Sequence, residues 1–319
     1  MNTRDQLLAL NEELRRLKSG GQRTVSVSEE SVAILRAALA DEPAGEILGG
    51  GVPSPRETPA PAYASVQEPV RAAIRPAAPA PVVAAAPAVP LATAKFTLPE
   101  GDKPARWNAL REIVLNDPVC AAKVYPGKKI VFGVGSLEAS IMFVGEAPGG
   151  DEEDIGEPFV GRAGQLLNRM IKAMGLERSQ VYIGNILNWR PAMPGPRNPD
   201  GSQTGNRPPT AEEMAYCLPF IRAQIAIIQP KVLVALGKTA VDGLLGADRF
   251  KSMGAARGNW HEYAGTPLRA SYHPSYLLRQ EGLVSAAAKK IKRDAWEDLL
   301  AVMERASLPV SEKQKNYFL

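Results

Sequence analysis

The stretch Ser140-Ile-Met-Phe-Val-Gly-Glu-Ala-Pro-Gly149 decides how this chain reads. Residues 140–144 have the character of a buried strand, and they run directly into a Gly-Glu-Ala-Pro-Gly turn. In a parallel α/β sheet, ligands collect where strand ends meet loops, because backbone amides and side chains converge there. Glu146 is therefore a carboxylate held rigidly at a strand end, as a catalytic group needs to be. A glycine–proline turn alone usually only connects elements. Its weight comes from three further features downstream: Pro158-Phe-Val-Gly-Arg162, Asn185, and His273-Pro-Ser-Tyr-Leu-Leu-Arg279.

Outward from that stretch, short apolar runs alternate with helical periodicity. Helix 162–174 places Leu166, Leu167, Met170, Ile171 and Met174 on one side and stops at Gly175. Strand 181–187 follows, then helix 210–228, opened by Thr210 with Glu213 three residues on. Strand 232–236, helix 238–245, strand 268–272 and a last helix over 284–305 complete the alternation. Before the key stretch, Ala105–Leu115 reads as a helix and Lys129–Phe132 as a short strand or extended lead-in. Strands separated by helices predict a parallel sheet covered on both faces: a three-layer α/β/α sandwich with four central strands.

The N-terminal third has a different character. Leu7, Leu10, Leu14 and Leu17 space a short amphipathic helix over 4–18, and Ser26 with Glu29 forms a capping box for a second. Residues 1–42 thus form a short helical segment with too little core to stand alone. They are expected to dock a protein partner, self-associate or lie on the main domain. Between Pro43 and Pro90 there are eleven prolines among many alanines, a density that forbids helix and favours extended chain. Residues 43–95 are expected to be a disordered tether, and that proline-rich run reaches on the order of 150 Å at ~3.1 Å per residue. Residues 96–319 form the expected globular domain.

The net charge of +4 is too small to announce a nucleic-acid binder, but its distribution is informative. From Arg249 to Arg293 there are nine Lys/Arg against two acids; from Gly145 to Val160 there are six acids and no base. A basic face beside an acidic pocket suits a protein that grips phosphates and does chemistry with carboxylates. No run approaches the ~20 apolar residues of a membrane span, and the N-terminus lacks a signal-peptide core. A soluble, cytoplasmic and nucleoid-associated protein is expected, without membrane contact. Two cysteines, Cys120 and Cys217, are too few for a disulfide framework.

Over roughly residues 105–305 these motifs, in this order, resemble the uracil-DNA glycosylase superfamily, and most closely its family 4. The resemblance implies a four-stranded α/β/α sandwich and an enzyme that flips uracil out of single- or double-stranded DNA and hydrolyses its N-glycosidic bond. It makes Phe159 the ring on which uracil stacks, with Ala147 beside it, and Asn185 the reader of the base edge. A carboxamide accepts from uracil N3–H and donates to O4 at once, provided its orientation is locked. His273 then lies beside uracil O2, where a ring N–H stabilises charge on the departing base. Glu146 positions water and stabilises charge at C1′, and Glu152 is expected as a second functional acid near uracil C5. Asp151, Glu153 and Asp154 are expected to be solvated or to cap a helix. Ser275 and Arg279 would hold phosphate, while Tyr276, Leu277 or Leu278 fills the vacated base stack.

The chain also departs from this family. Family 4 members hold a four-iron cluster on four cysteines, and only Cys120 and Cys217 match; Asp117 and Trp189 stand at the other two positions. Clusters of this type need about four thiolates, so loss of the cluster and no cofactor are expected. An insertion over roughly 192–205, rich in glycine and proline, marks a loop. It lacks the histidine found in superfamily members that become trapped on abasic DNA, so turnover is expected. Two other readings compete. A nucleotide-binding α/β protein would require a Gly-x-Gly-x-x-Gly or Walker pattern, which the turn lacks. A non-catalytic or damage-sensing DNA-binding module on the same fold is opposed by the presence of Glu146, Phe159, Asn185 and His273.

Overall fold

The computed structural model describes residues 93–195, 197–198, 201–281 and 285–318. The two N-terminal helices and nearly all of the proline-rich tether lie outside the described residues.

Seen from the sheet, the order of strands is β1-β3-β2-β4-β6-β5. Its middle is the expected parallel set: β2 (Ile141–Gly145), β3 (Tyr182–Asn185), β4 (Val232–Leu236) and β6 (Thr266–Ser271). β2 and β4 are buried at all five positions each, as strands covered on both faces must be. Alternate residues serve opposite layers. Met142, Val144, Leu233 and Ala235 pack beneath α1 (Lys103–Leu115) and α5 (Ala211–Ile228). Ile141, Phe143, Val232 and Val234 pack against α4 (Arg162–Ala173) and α9 (Ala286–Arg305).

Two antiparallel edges extend the expected four strands to six: β1 (Val134–Gly135) beside β3, and β5 (Trp260–Tyr263) beside β6. β5 turns into β6 through Ala264-Gly265, both at positive φ (48° and 79°), the two-residue hairpin geometry that matches strand twist. A two-residue strand carries no periodicity, and β5 alternates exposed and half-buried positions rather than forming an apolar run. Lys129–Phe132 is the extended lead-in: Lys129 N–H donates to Glu153 O and Val131 N–H to Asn188 O. The other connecting helices are short: α2 (Pro118–Lys123), α3 (Gly150–Ile155), α6 (Lys238–Leu245), α7 (Met253–Ala256), α8 (Pro274–Leu278) and α10 (Glu312–Lys315). Among the described residues no helix is long and apolar enough to cross a membrane.

Helix starts follow local chemistry. Asp102 caps α1 through Ala105 N–H, and Thr210 and Glu213 cap α5 reciprocally. Helix α9 is fixed to the sheet by a buried carboxylate. Asp298, fully buried, accepts from Arg257 Nε (3.0 Å) and Arg269 Nε (2.9 Å). Burial raises its carboxyl above the usual range, while both guanidinium groups oppose that rise. Removing one partner of such a network leaves buried charge uncompensated, at a cost of ~3–5 kcal/mol. Asp298→Ala is expected to lose about that much in chemical denaturation, and a loss below about 1 kcal/mol would contradict the network's role.

Candidate active site

The register aligns four carboxyl-terminal strand ends along one edge of the sheet. Gly145 stands opposite Asn185, Val144 opposite Ala235, and Leu236 opposite Ser271. Asn185 ends β3, Glu146 follows β2 by one residue, Thr239 follows β4 by three, and His273 follows β6 by two. Three of these ends border a cleft of about 430 Å³ that includes Glu146, Ala147, Phe159, Thr239, His273 and Arg279 in its lining, while Asn185 lies outside that lining, buried beside Gly145.

Glu146 is half-buried, and Oε2 accepts a hydrogen bond from Thr239 Oγ1 at 2.7 Å. Burial pushes its carboxyl above the ordinary range, and the Thr239 bond opposes this. Its backbone is fixed as well, because Leu187 N–H donates to Glu146 O and Ile186 N–H to Gly145 O.

Glu152 also lines the cleft, but its carboxylate is engaged by the backbone. Oε2 accepts from Gly149 N–H, and Oε1 from Val160 and Gly161 N–H, all at 3.0 Å. It joins the turn after β2 to the loop that carries Phe159. Glu153, expected to be solvated or to cap a helix, lies in the first turn of α3 but is only 3% exposed, with Arg190 Nη1 at 2.9 Å and Arg197 Nη1 at 3.1 Å. Arg190 also donates to Asn206 Oδ1 and Gly205 O, so this buried carboxylate anchors the inserted loop. Asp151 is exposed, and Asp154 pairs with Lys128.

Phe159 sits at φ 53°, a left-handed backbone rare for a bulky residue. Its conformation is imposed from two sides. Arg178 donates to Phe159 O at 3.1 Å and to Pro158 O at 2.6 Å. Gly164 approaches so closely that a Cβ there would lie 1.9 Å from Phe159 O. The ring packs 5.6 Å from the His273 ring and against Gly145, where an added Cβ would meet it at 2.5 Å and Asn185 Oδ1 at 2.4 Å. Asn185 is buried, and among the described residues its Oδ1 has no hydrogen-bond partner. An orphaned buried acceptor costs ~1–3 kcal/mol unless something supplies a donor.

His273 caps α8: its Nδ1 accepts from Ser275 N–H at 3.2 Å and lies 2.8 Å from Ser275 Oγ. A ring nitrogen that accepts from a backbone amide carries no proton, so the neutral ring bears its hydrogen on Nε2. Burial, helped by the charge of Arg279, lowers its pKa to about 4. In the following loop, Leu277 faces the interior, whereas Tyr276 and Leu278 are half-buried and Arg279 is exposed. Tyr276 packs 5.2 Å from Tyr272, with the Arg279 guanidinium 5.6 Å from its ring. Ser275, expected to hold phosphate, has its hydroxyl against His273.

A four-iron cluster does not fit the residues at the positions where the resemblance would place it. Cys120 and Cys217 are buried and supply two thiols. Asp117 already accepts from Val119 N–H, Cys120 N–H and the Tyr216 hydroxyl. Trp189 is buried with its ring 6.2 Å from that of Tyr216, and an indole N–H is a donor only. The Cys217 hydrogen bond, then burial, raises the Cys120 thiol far above its ordinary range. Among the described residues no three His, Cys, Asp or Glu side chains gather as a metal site.

Sequence reasoning missed Thr239 and Arg178. Thr239 had a signal in Leu236-Gly-Lys-Thr239, a strand–glycine turn like the one before Glu146. Arg178 acts across 19 residues of chain and had none.

Comparison with known proteins adds a family. The model described as "Uracil DNA glycosylase superfamily" matches residues 132–300. The type-4 uracil-DNA glycosylase of Thermotoga maritima is 39% identical over 171 residues, covering 53% of this chain and 79% of that protein. Those of Pyrobaculum aerophilum and Archaeoglobus fulgidus are 34% and 39% identical, covering 54% and 46% of this chain and 85% and 70% of theirs.

The geometry at His273 has a spectroscopic consequence. Nitrogen-15 NMR is expected to show this ring neutral, protonated on Nε2, from pH 6 upward, with its titration near pH 4. A midpoint near the ordinary value of about 6.5 would contradict the burial argument.

Proposed function

This chain belongs to the uracil-DNA glycosylase superfamily, and on that premise we propose that it excises uracil from DNA, with Asn185, Phe159, His273 and Glu146 dividing the work. The observation that carries this reading is the orphaned Oδ1 of Asn185, buried beside Phe159 at the next strand end from Glu146. Uracil N3–H is the donor that atom lacks, and the amide nitrogen donates to O4. The base stacks on Phe159, a contact worth ~1–3 kcal/mol, with Ala147 alongside.

As the C1′–N1 bond breaks, its electron pair leaves with uracil, and negative charge grows on O2 and N1. The Nε2–H of neutral His273 donates to O2 and stabilises that charge. Positive charge grows at C1′, where ionised Glu146 stabilises it and orients the attacking water. Water adds its oxygen to C1′ and releases one proton, and the uracil anion takes up a proton from solvent. The products are free uracil and an abasic site, the first step of base excision repair. Glu152 positions this machinery without touching the substrate. Half-buried Tyr276 and Leu278 and exposed Arg279 form the outer part of the loop that meets DNA, single- or double-stranded, and Leu277 roots it in the core. Residues 1–42 act as an accessory segment for a protein partner.

The reading includes no iron–sulfur cluster, because two thiols, an engaged aspartate and an indole are not a ligand set for one. Anaerobically purified protein is expected to be colourless, and stoichiometric iron would refute this.

Asn185→Asp tests the base-edge assignment with a nearly isosteric change. An ionised aspartate still accepts from N3–H, but it cannot donate to O4 and places negative charge beside an anionic leaving group. Single-turnover uracil excision is expected to fall a hundred- to a thousandfold, the ~2.7–4 kcal/mol of one lost transition-state hydrogen bond. A rate within about threefold of wild type, under 1 kcal/mol, would remove Asn185 from the site.

A further inference from the structure

Four parallel strand ends lie along one edge of the sheet, and three carry the groups assigned above: Asn185 from β3, Glu146 from β2 and His273 from β6. The fourth strand, β4, lies between β2 and β6, and its end carries Thr239. We propose that Thr239 is a positioning residue for excision, which holds the Glu146 carboxylate charged and leaves one of its oxygens free for the sugar and water. This rests on the role given to Glu146 above.

The hydroxyl has one proton, and it is donated to Glu146 Oε2 at 2.7 Å. Among the described residues this is the only hydrogen bond to that carboxylate, so Oε1 stays free. The donor is held in place by its turn. Gly237 sits at φ 88° and packs against His273, where an added Cβ would come 3.0 Å from His273 Cβ. Gly237 N–H donates to Ser271 O, which ties the turn to the end of β6.

No ion pair substitutes for the hydroxyl. Lys238, the adjacent cation, is bound to Asp242 at 2.7 Å on its own helix. Arg207, beyond the inserted loop, is paired with Glu213. Arg162 opens α4, and His273 and Arg279 come from the β6 end; Asp151 and Glu152 lie on α3. Among the described residues none of these basic side chains is within ion-pair distance of Glu146. Burial therefore pushes the Glu146 carboxyl towards its neutral form, and Thr239 is the group that opposes it. A neutral Glu146 stabilises no positive charge at C1′.

The test is single-turnover excision across pH 4.5–9 by full-length wild type and Thr239→Val, Thr239→Ala, Thr239→Ser and Glu146→Gln. DNA affinity and melting temperature are measured alongside. Removing the donor favours the protonated carboxyl, so the acid limb moves to higher pH, by about one unit or more, in both the valine and alanine variants. Their rates at neutral pH fall about ten- to a hundredfold, the range of a charge-assisted hydrogen bond. Serine keeps the hydroxyl and is expected to restore the limb, with a rate within about threefold of wild type. A purely structural threonine would lower melting temperature or affinity without moving the limb. An unmoved limb in both variants, or a serine variant as slow as valine, overturns the proposal while Glu146→Gln stays inactive. Glu146→Gln within threefold of wild type instead sinks the reading of Glu146 itself.

Discussion

Parallel pairing of β3, β2, β4 and β6 is the constraint on which the rest depends. Backbone hydrogen bonds between parallel neighbours fix register, and register brings every carboxyl-terminal end to the same edge. Once Gly145 stands opposite Asn185 and Leu236 opposite Ser271, Glu146, Thr239 and His273, just beyond three of the strand ends, share one cleft. Helices on both faces make the arrangement rigid, since each strand is clamped between two apolar layers. Glycine begins two of the exits, and for different reasons. At Gly145 a side chain would occupy the space of the Phe159 ring; at Gly237 the backbone is left-handed and close to His273.

The loop that brings Phe159 into the cleft is held against its own preference. A bulky residue at positive φ costs on the order of 1–3 kcal/mol and persists only where its surroundings over-determine it. Here they do: Arg178 grips the two carbonyls from one side, Gly164 admits the backbone from below, and Glu152 collects the next two N–H groups. The third bond of Glu152 reaches back to Gly149, so the turn of Glu146 and the loop of Phe159 share one carboxylate. Arg190 and Arg197 add a second brace, because Glu153 on the same short helix binds both and with them the inserted loop.

How much of this could be read in the sequence follows the range of each interaction. Central strands and long helices were legible because burial writes itself as apolar runs and as periodicity over many residues. β1 and β5 were not: two residues have no period, and an edge strand half in solvent does not look apolar. Glu146, Phe159 and His273 stood out because each sits in a short glycine- or proline-bearing motif at a strand end, and the fold brings all three to the cleft. The burial of Glu153 at its helix start was not legible because its partners lie 37 and 44 residues away, beyond any local pattern. Glu152 was legible as important, but not how: three backbone amides, invisible in a sequence, occupy its carboxylate.

Burial acts on the two principal ionisable groups of the cleft in one direction, towards their neutral forms, yet the proposed excision needs only one of them neutral. A neutral imidazole with its proton on Nε2 is a donor matched to a leaving group that becomes an anion; a cation would require a partner to balance it. At His273 the surroundings therefore reinforce burial: the Ser275 amide occupies Nδ1 as an acceptor, and the charge of Arg279 disfavours a second proton. The role proposed for Glu146 needs the opposite outcome, because a sugar that becomes cationic is stabilised by a carboxylate and not by a carboxylic acid. An arginine would enforce ionisation, but a bound guanidinium would also neutralise the field that acts on C1′ and occupy an oxygen needed by water. A hydroxyl donor favours the charged form while adding no charge of its own. Threonine at the end of β4 meets that requirement with one hydrogen bond, from the strand that lies between the acid and the histidine.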